Sequence, residues 1–214
     1  MTESLKVVLA TANAGKIAEL SAALAPLGAE VLSLSDFPGM PEVSEDGDTF
    51  AANALDKART IAKATGHVAI ADDSGLSVDA LGGAPGVYSA RYSDDWDQLP
   101  GESRDQRNMR KLLHAMRPYG RGERGCQFET VIAVVSPQGD ELLCAGQWRG
   151  VLLESPLGAN GFGYDPIFWD SELNKSAAEL TMSEKNAVSH RGKAVRELIA
   201  RWPDFLKSLA QSSN

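Results

Sequence analysis

Val68-Ala-Ile-Ala-Asp72-Asp73-Ser74-Gly75-Leu76 is the run on which the fold turns. Four apolar residues of strand character lead into two adjacent carboxylates, a hydroxyl and a glycine. A short apolar run of this kind predicts a buried strand, and Ser-Gly predicts its end. Two carboxylates at the mouth of a buried strand cost desolvation energy unless a metal or hydrogen-bond donors meet them. Successive strand side chains point to opposite faces, so one of Asp72 and Asp73 faces a given cleft, and parity alone does not say which. The pair reads either as turn caps through Asx-type hydrogen bonds or as a metal-binding or basic group.

Working back toward the N-terminus, Leu5–Ala10 predicts a first strand and Lys16–Leu24 a helix with Leu20, Ala23 and Leu24 on one face, ended by Pro26 and Gly28. Between them lies Thr11-Ala-Asn13-Ala-Gly15-Lys16. A strand, a small polar loop and a helix suit an anion, because free backbone N–H groups and the helix dipole point at it. The loop is not a P-loop: the first glycine is missing and Ile17 follows the lysine. A plain turn with an Asn cap explains the same residues. Val31–Leu34 predicts a second strand, and the loop over 36–48 is acidic, with Glu42 and Glu45. A second helix is predicted from Asp48-Thr49 to about Thr65, placing Asn53 and Lys57 on one face.

Toward the C-terminus, Leu81–Tyr92 holds a rigid glycine- and proline-rich turn, and 94–101 a polar loop. A third helix is expected over Ser103–Met116, with Met109, Leu112, Leu113 and Met116 inward; His114 and His67 carry no chemistry in this view. Phe128–Ser136 and Glu141–Trp148 predict an antiparallel hairpin, and Gly150–Ser155 continues the sheet. In Gly161-Phe162-Gly163-Tyr164-Asp165-Pro166 the glycines leave a ring open for stacking, or simply turn the chain around an aromatic core. Thr181-Met-Ser-Glu184 is a capping box with Lys185 in its first turn. Ser189-His190-Arg191-Gly192 precedes a last helix, Lys193 to about Leu209, expected to bury Val195, Leu198, Ile199, Trp202, Leu206 and Leu209. Cations in a first turn oppose the helix dipole, which points to an anionic or carbonyl-bearing ligand.

At 214 residues, with 43% hydrophobic and 23% charged, the chain fits a single globular domain over 1–214 with two lobes sharing a central sheet. No apolar run reaches the roughly 20 residues of a membrane span. The start lacks the layout of a signal peptide, so a cytoplasmic setting is expected. Cys126 and Cys144 have no metal-ligand spacing and read as reduced thiols set apart on a hairpin turning at Pro137–Asp140. The net charge of -8 argues against nucleic-acid and membrane-surface binding. A local cluster of cations with a divalent metal still suits a small polyanion. Thr11, Asn13, Lys16, Lys57, Lys185, the acids Glu45, Asp72 and Asp73, Phe162, and the donors His190 and Arg191 together make a nucleoside triphosphate site.

Six runs carry a family likeness: residues 11–16, 49–58, 71–76, 82–91, 161–166 and 189–192. In these runs, in order along nearly the whole chain, it resembles the inosine/xanthosine triphosphate pyrophosphatase family, which removes damaged purine nucleotides. Ala12 departs from the glycine common there, Ala52 from an acid, and the loop over 94–103 is longer. The resemblance implies an α/β fold with a long mixed sheet, flanking helices and two lobes around a cleft. It implies hydrolysis of ITP, dITP or XTP between the α and β phosphates with Mg²⁺, by a homodimer; Tyr88 and Tyr92 are candidate contacts. Asp73 would be general base and metal ligand, Glu45 a further metal acid and Ser74 a substrate contact. Lys16, Lys57 and Lys185 would hold phosphates, with Thr11 and Asn13 in the loop. Phe162 and Gly163 would present the stacking ring, while Tyr164 and Asp165 shape the base pocket. His190 and Arg191 would favour a 6-oxo purine over a 6-amino one, since donors facing donors are left unpaired. A Maf-type pyrophosphatase and a non-catalytic nucleotide sensor are the alternatives. A Nudix hydrolase would need an Arg-Glu then Glu-Glu helix, and a phospho-aspartate phosphatase acids two apart after the first strand; neither is present.

Overall fold

The computed structural model describes residues 5–11, 13–24, 28–41 and 43–212; Ala12, Pro26 and Glu42 lie outside them. Its strands are β1 (Lys6–Leu9), β2 (Glu30–Ser33), β3 (Val68–Val78), β4 (Gly125–Val135), β5 (Glu141–Leu152), β6 (Phe168–Asp170) and β7 (Lys175–Ser176). Its helices are α1 (Ala14–Leu24), α2 (Phe50–Thr65), α3 (Arg104–Ala115), α4 (Met182–Val188) and α5 (His190–Ser212). The strands form a mixed sheet in the order β2-β1-β3-β4-β5-β6-β7. β1 runs parallel to β2 and β3, and β6 antiparallel to β5 and β7. The α/β expectation holds. The chain divides into two compact units, one of residues 1–73, 130–146 and 191–214, the other of 74–129 and 147–190.

In the first unit the pleat of β1 and β3 sorts side chains into two layers. Val7, Leu9, Val68 and Ile70 pack with Leu20 and Leu24 of α1 and Val195, Leu198 and Trp202 of α5. Val8, Ala10, Ala69 and Ala71 pack with Ala54, Ala58, Ile61 and Ala62 of α2. The period of two settles where the acids go: Asp72 follows Val68 and Ile70 toward α1 and α5, and Asp73 follows Ala69 and Ala71 toward α2.

In the second unit one apolar cluster joins Leu76 and Val78 of β3 to Met109, Leu112, Phe128, Trp148, Tyr164, Ile167 and Phe168. Cys126 and Cys144 are both free and buried, one in each unit.

Among the differences from expectation are two element boundaries and one buried position, each with a local reason. β3 does not end at Ser74-Gly75. Leu76 and Val78 continue its buried alternation, and Leu76 N donates to Ser89 Oγ at 2.9 Å. The last helix begins at His190 rather than Lys193, because only one extended residue, Ser189, separates it from α4. Leu206 is 39% exposed, while Phe205 is buried in its place beside Trp202; Phe205 sits three residues after Trp202 and so shares its face.

Candidate active site

Within the first unit the two β3 acids meet opposite surroundings. Asp72 is fully buried; its Oδ2 is 3.1 Å from Lys16 Nζ and accepts from Arg191 Nη2 at 3.1 Å. Arg191 also donates to Glu19 on α1, so two carboxylates hold the guanidinium. Lys16 is placed by Asn13, whose Oδ1 accepts from Lys16 N at 3.1 Å and whose N donates to Thr11 Oγ1 at 3.2 Å. The expected Asn cap is present, and it fixes the turn from which α1 starts.

Asp73 is also buried. Its Oδ2 accepts from Asn53 Nδ2 at 2.9 Å, and its backbone carbonyl accepts from Thr130 Oγ1 at 3.3 Å. Burial raises its pKa above the usual aspartate range, and the nearby Glu45 carboxylate adds to the rise. The Asn53 amide, Lys16 and Lys57 act against it. Glu45 is paired with Lys57, whose Nζ also reaches the Asp72 carbonyl at 3.5 Å. Lys16, Lys57 and Glu45 thus all lie near Asp73. A carboxylate of raised pKa beside two cations is a candidate general base.

Within the second unit a different set gathers. Lys185 falls in the last turn of the seven-residue α4, not in the first turn expected of it; it is buried and lies 2.6 Å from Asp165 Oδ2. Its Nζ sits 4.8 Å from the centre of the half-buried Phe162 ring, within the range of a cation–π contact. Asp165 Oδ2 also accepts from Phe162 N at 2.9 Å. Gly161 is required there, with φ +75° and a would-be Cβ only 2.0 Å from that carboxylate oxygen. Gly163 N donates to Asp105 Oδ2 of α3 at 2.8 Å, which pins the far side of the turn. Tyr164 is core: its hydroxyl donates to Ser89 O at 2.8 Å, and burial raises its pKa. His190 stacks on Phe128 with centroids 4.8 Å apart and planes 13° from parallel. Ser74, the first residue of this unit, is half-buried.

The structure therefore groups Thr11, Asn13, Lys16, Lys57, Glu45, Asp73 and Arg191 in the first unit, and Phe162, Gly163, Tyr164, Asp165, Lys185 and His190 in the second. Arg191, expected among base-reading donors, has Glu19 and Asp72 for partners; Lys185, expected on phosphate, has Asp165 and Phe162. Sequence reasoning missed Glu19, Asp105 and the grip of Asn53 on Asp73. Glu19 stands about one helical turn past Lys16 and is buried; its partner Arg191 lies 172 positions away, which no local pattern signals. Among the described residues no group of three or more His, Cys, Asp or Glu is disposed to hold a metal.

A model of the Ham1 family matches residues 7–201. The chain is 53% identical over 199 residues to the dITP/XTP pyrophosphatase of Nitratidesulfovibrio vulgaris, covering 93% of this chain and 96% of that protein. It is 45% identical to the protein of that name from Lactiplantibacillus plantarum, covering 96% and 98%. Among solved structures, a HAM1 protein from Coxiella burnetii is similar at TM-score 0.83 and 40% identity, covering 94% of this chain and 99% of that one.

Proposed function

Since the chain belongs to the Ham1 family, we propose that it hydrolyses noncanonical purine nucleoside triphosphates, dITP, ITP and XTP, to the monophosphate and pyrophosphate, clearing damaged purines from the cytoplasmic nucleotide pool. Curated relatives named dITP/XTP pyrophosphatase support the substrate class. The observation that carries the chemistry is Asp73, a buried carboxylate of raised pKa with Lys16 and Lys57 beside it.

In this proposal Asp73 orients the attacking water and accepts its proton. Lys16 and Lys57 neutralise charge that builds on the departing pyrophosphate. The Thr11–Lys16 loop offers its polar groups to a phosphate, and Ser74 contacts the substrate beside the base. Mg²⁺ suits the donor set: Glu45 and Asp73 are two like charges near each other, and this ion is commonly bound by one or two carboxylates plus substrate phosphates. When bound it would supply Lewis-acid stabilisation of the phosphoryl oxygens.

The ring of Phe162 is assigned to stack on the purine, with Lys185 and Asp165 fixing its turn, and Gly163 and Tyr164 completing the base-binding group. His190 and Arg191 are assigned to the 6-oxo group, with Glu19 and Asp72 holding the guanidinium. We also assign the chain to a homodimer. Tyr88, 56% exposed with Arg91 5.0 Å from its ring, is the surface such a contact would cover, and light scattering would give the mass.

A panel of ITP, dITP, XTP, GTP and ATP, assayed for pyrophosphate with and without Mg²⁺, tests the assignment. Pyrophosphate from the first three, dependent on Mg²⁺, is expected. Tight nucleotide binding without product would make the chain a sensor instead.

A further inference from the structure

The first turn of α2 buries an amide that is engaged at both ends. Asn53 is 2% exposed. Its Nδ2 donates to Asp73 Oδ2 at 2.9 Å, and its Oδ1 accepts from Gly47 N at 2.7 Å. Gly47 lies two residues past Glu45, so one side chain ties the strand acid to the loop that bears the second acid. The fit at the loop end is close. A Cβ at 47 would lie 2.7 Å from Asn53 Oδ1 and 3.0 Å from Ala52 Cβ, and a 2.7 Å approach forces a shift.

A carboxamide holds a donor and an acceptor at fixed separation. Aspartate at 53 would lose the donor, and leucine both. Asn53 itself need touch neither substrate nor cation. What it supplies is order: without it, a loop carrying a carboxylate must be brought up against a second carboxylate each time a cation binds. Ordering the loop during folding removes that cost from the binding step.

We propose that Asn53 is a positioning residue: it fixes the spacing between Asp73 and the loop bearing Glu45, and so sets the affinity of that acid pair for its divalent cation. The inference rests on the assignment of Glu45 and Asp73 to a cation made above.

Mn²⁺ alone, titrated into the full chain without nucleotide and followed by the resonance of free Mn²⁺, tests it. Asn53→Ala removes both bonds. Gly47→Ala drives a Cβ against Asn53 Oδ1 and so disrupts the bond on the loop side while keeping the Asn53 carboxamide, which keeps the question open to test if Asn53→Ala does not fold. Each is expected to weaken Mn²⁺ binding about tenfold or more, the scale of losing a partner that orients a metal ligand. Amide exchange over 45–49 in the metal-free protein should accelerate in both. For Gly47→Ala, the Mg²⁺ concentration for half-maximal pyrophosphate release should rise while turnover at saturating Mg²⁺ stays near wild type.

Wild-type Mn²⁺ affinity in either folded variant overturns the proposal. So does unchanged amide exchange over 45–49 in Asn53→Ala. Glu45→Gln and Asp73→Asn go through the same titration: if neither weakens Mn²⁺ binding, the cation assignment is what fails, and the exchange data still judge the strut by themselves.

Discussion

In the first unit Asp72, Asp73, Glu19 and Glu45 lie among Lys16, Lys57 and Arg191, whereas in the second Asp165 is met by Lys185 under the Phe162 ring. Asp72, Asp73, Glu19 and Arg191 of the first and Asp165 and Lys185 of the second are buried, while Lys16, Lys57, Glu45 and Phe162 are half-buried. The two groups differ in balance. Of the groups just named, the first holds four carboxylates to three cationic side chains, and burial raises the pKa of Asp73. The pair in the second is matched one to one. A surplus of buried negative charge is costly until a positive ion arrives, so the first group is built to change state. A matched pair gains nothing from a further ion, and what it offers instead is a fixed surface carrying a ring.

The sharpest way to break this comparison is Asp73→Asn. If the surplus charge is the reactive one, pyrophosphate release from dITP falls about 10³-fold, within the range of a lost general base, while nucleotide binding persists. Should Asp72→Asn abolish release and Asp73→Asn spare it, the roles of the two acids are exchanged.

Next in size are the cations. Arg191→Ala takes the guanidinium from two buried carboxylates, Glu19 and Asp72, the second of which keeps Lys16 at 3.1 Å, and removing one partner of a buried pair costs about 3–5 kcal/mol. Urea unfolding should show the full loss. Lys185→Met takes the cation from one carboxylate, Asp165, which keeps the Phe162 N–H, and should cost less. Adding Asp165→Asn should recover much of that loss, since a neutral replacement of a buried pair is often tolerated. A Lys185→Met loss that Asp165→Asn does not recover would mean the second group is not a simple matched pair.

The sequence made the two ends of this arrangement legible to different degrees. β1, α2 and the turn at 161–166 followed from apolar periodicity, an N-cap Thr49 and glycines that only positive φ explains. The capping box at Thr181 was readable because its two bonds are local. The fates of Asp72 and Asp73 were not, because alternation in a strand gives two faces and no label for either. Only the packing of α1 and α5 on one side and α2 on the other supplied the label. Glu19 drew no reading and Asn53 only a place on one face of α2 with Lys57, and their partners stand 172 and 20 positions away. A helix wheel holds no information about such distant pairs. The end of β3 was misread for the opposite reason: Ser-Gly is a strong local stop signal, and burial of Leu76 and Val78 overrode it.

A smaller effect tests the second group. Phe162→Leu keeps an apolar side chain and removes the stacking face. Stacking of a base on an aromatic ring is worth about 1–3 kcal/mol by truncation to alanine, and leucine retains part of it. A loss of about tenfold in kcat/KM, similar for dITP and XTP, is therefore expected, because every purine has the same π face. A loss confined to one of them would give Phe162 a part in reading ring substituents.

The smallest effect tests the charge surplus without any substrate. Burial and Glu45 raise the pKa of Asp73 in the folded chain above its unfolded value, so the folded state holds the proton more tightly. Stability from this group is then greatest below the unfolded pKa and declines as pH rises through the raised folded one. Asp73→Asn cannot ionise and escapes the decline. In EDTA, its melting temperature should equal wild type or fall slightly below it near pH 4 and exceed it at pH 7. A gain of about 1 kcal/mol would correspond to roughly 2–4 °C at this chain length. Excess Mg²⁺ at pH 7 should shrink the gap, because the ion stabilises only the chain that binds it. A gap that is constant across pH, or untouched by Mg²⁺, would mean that the acid excess around Asp73 is already neutralised within the protein, and the contrast between the two groups would then lie in their geometry rather than in their charge.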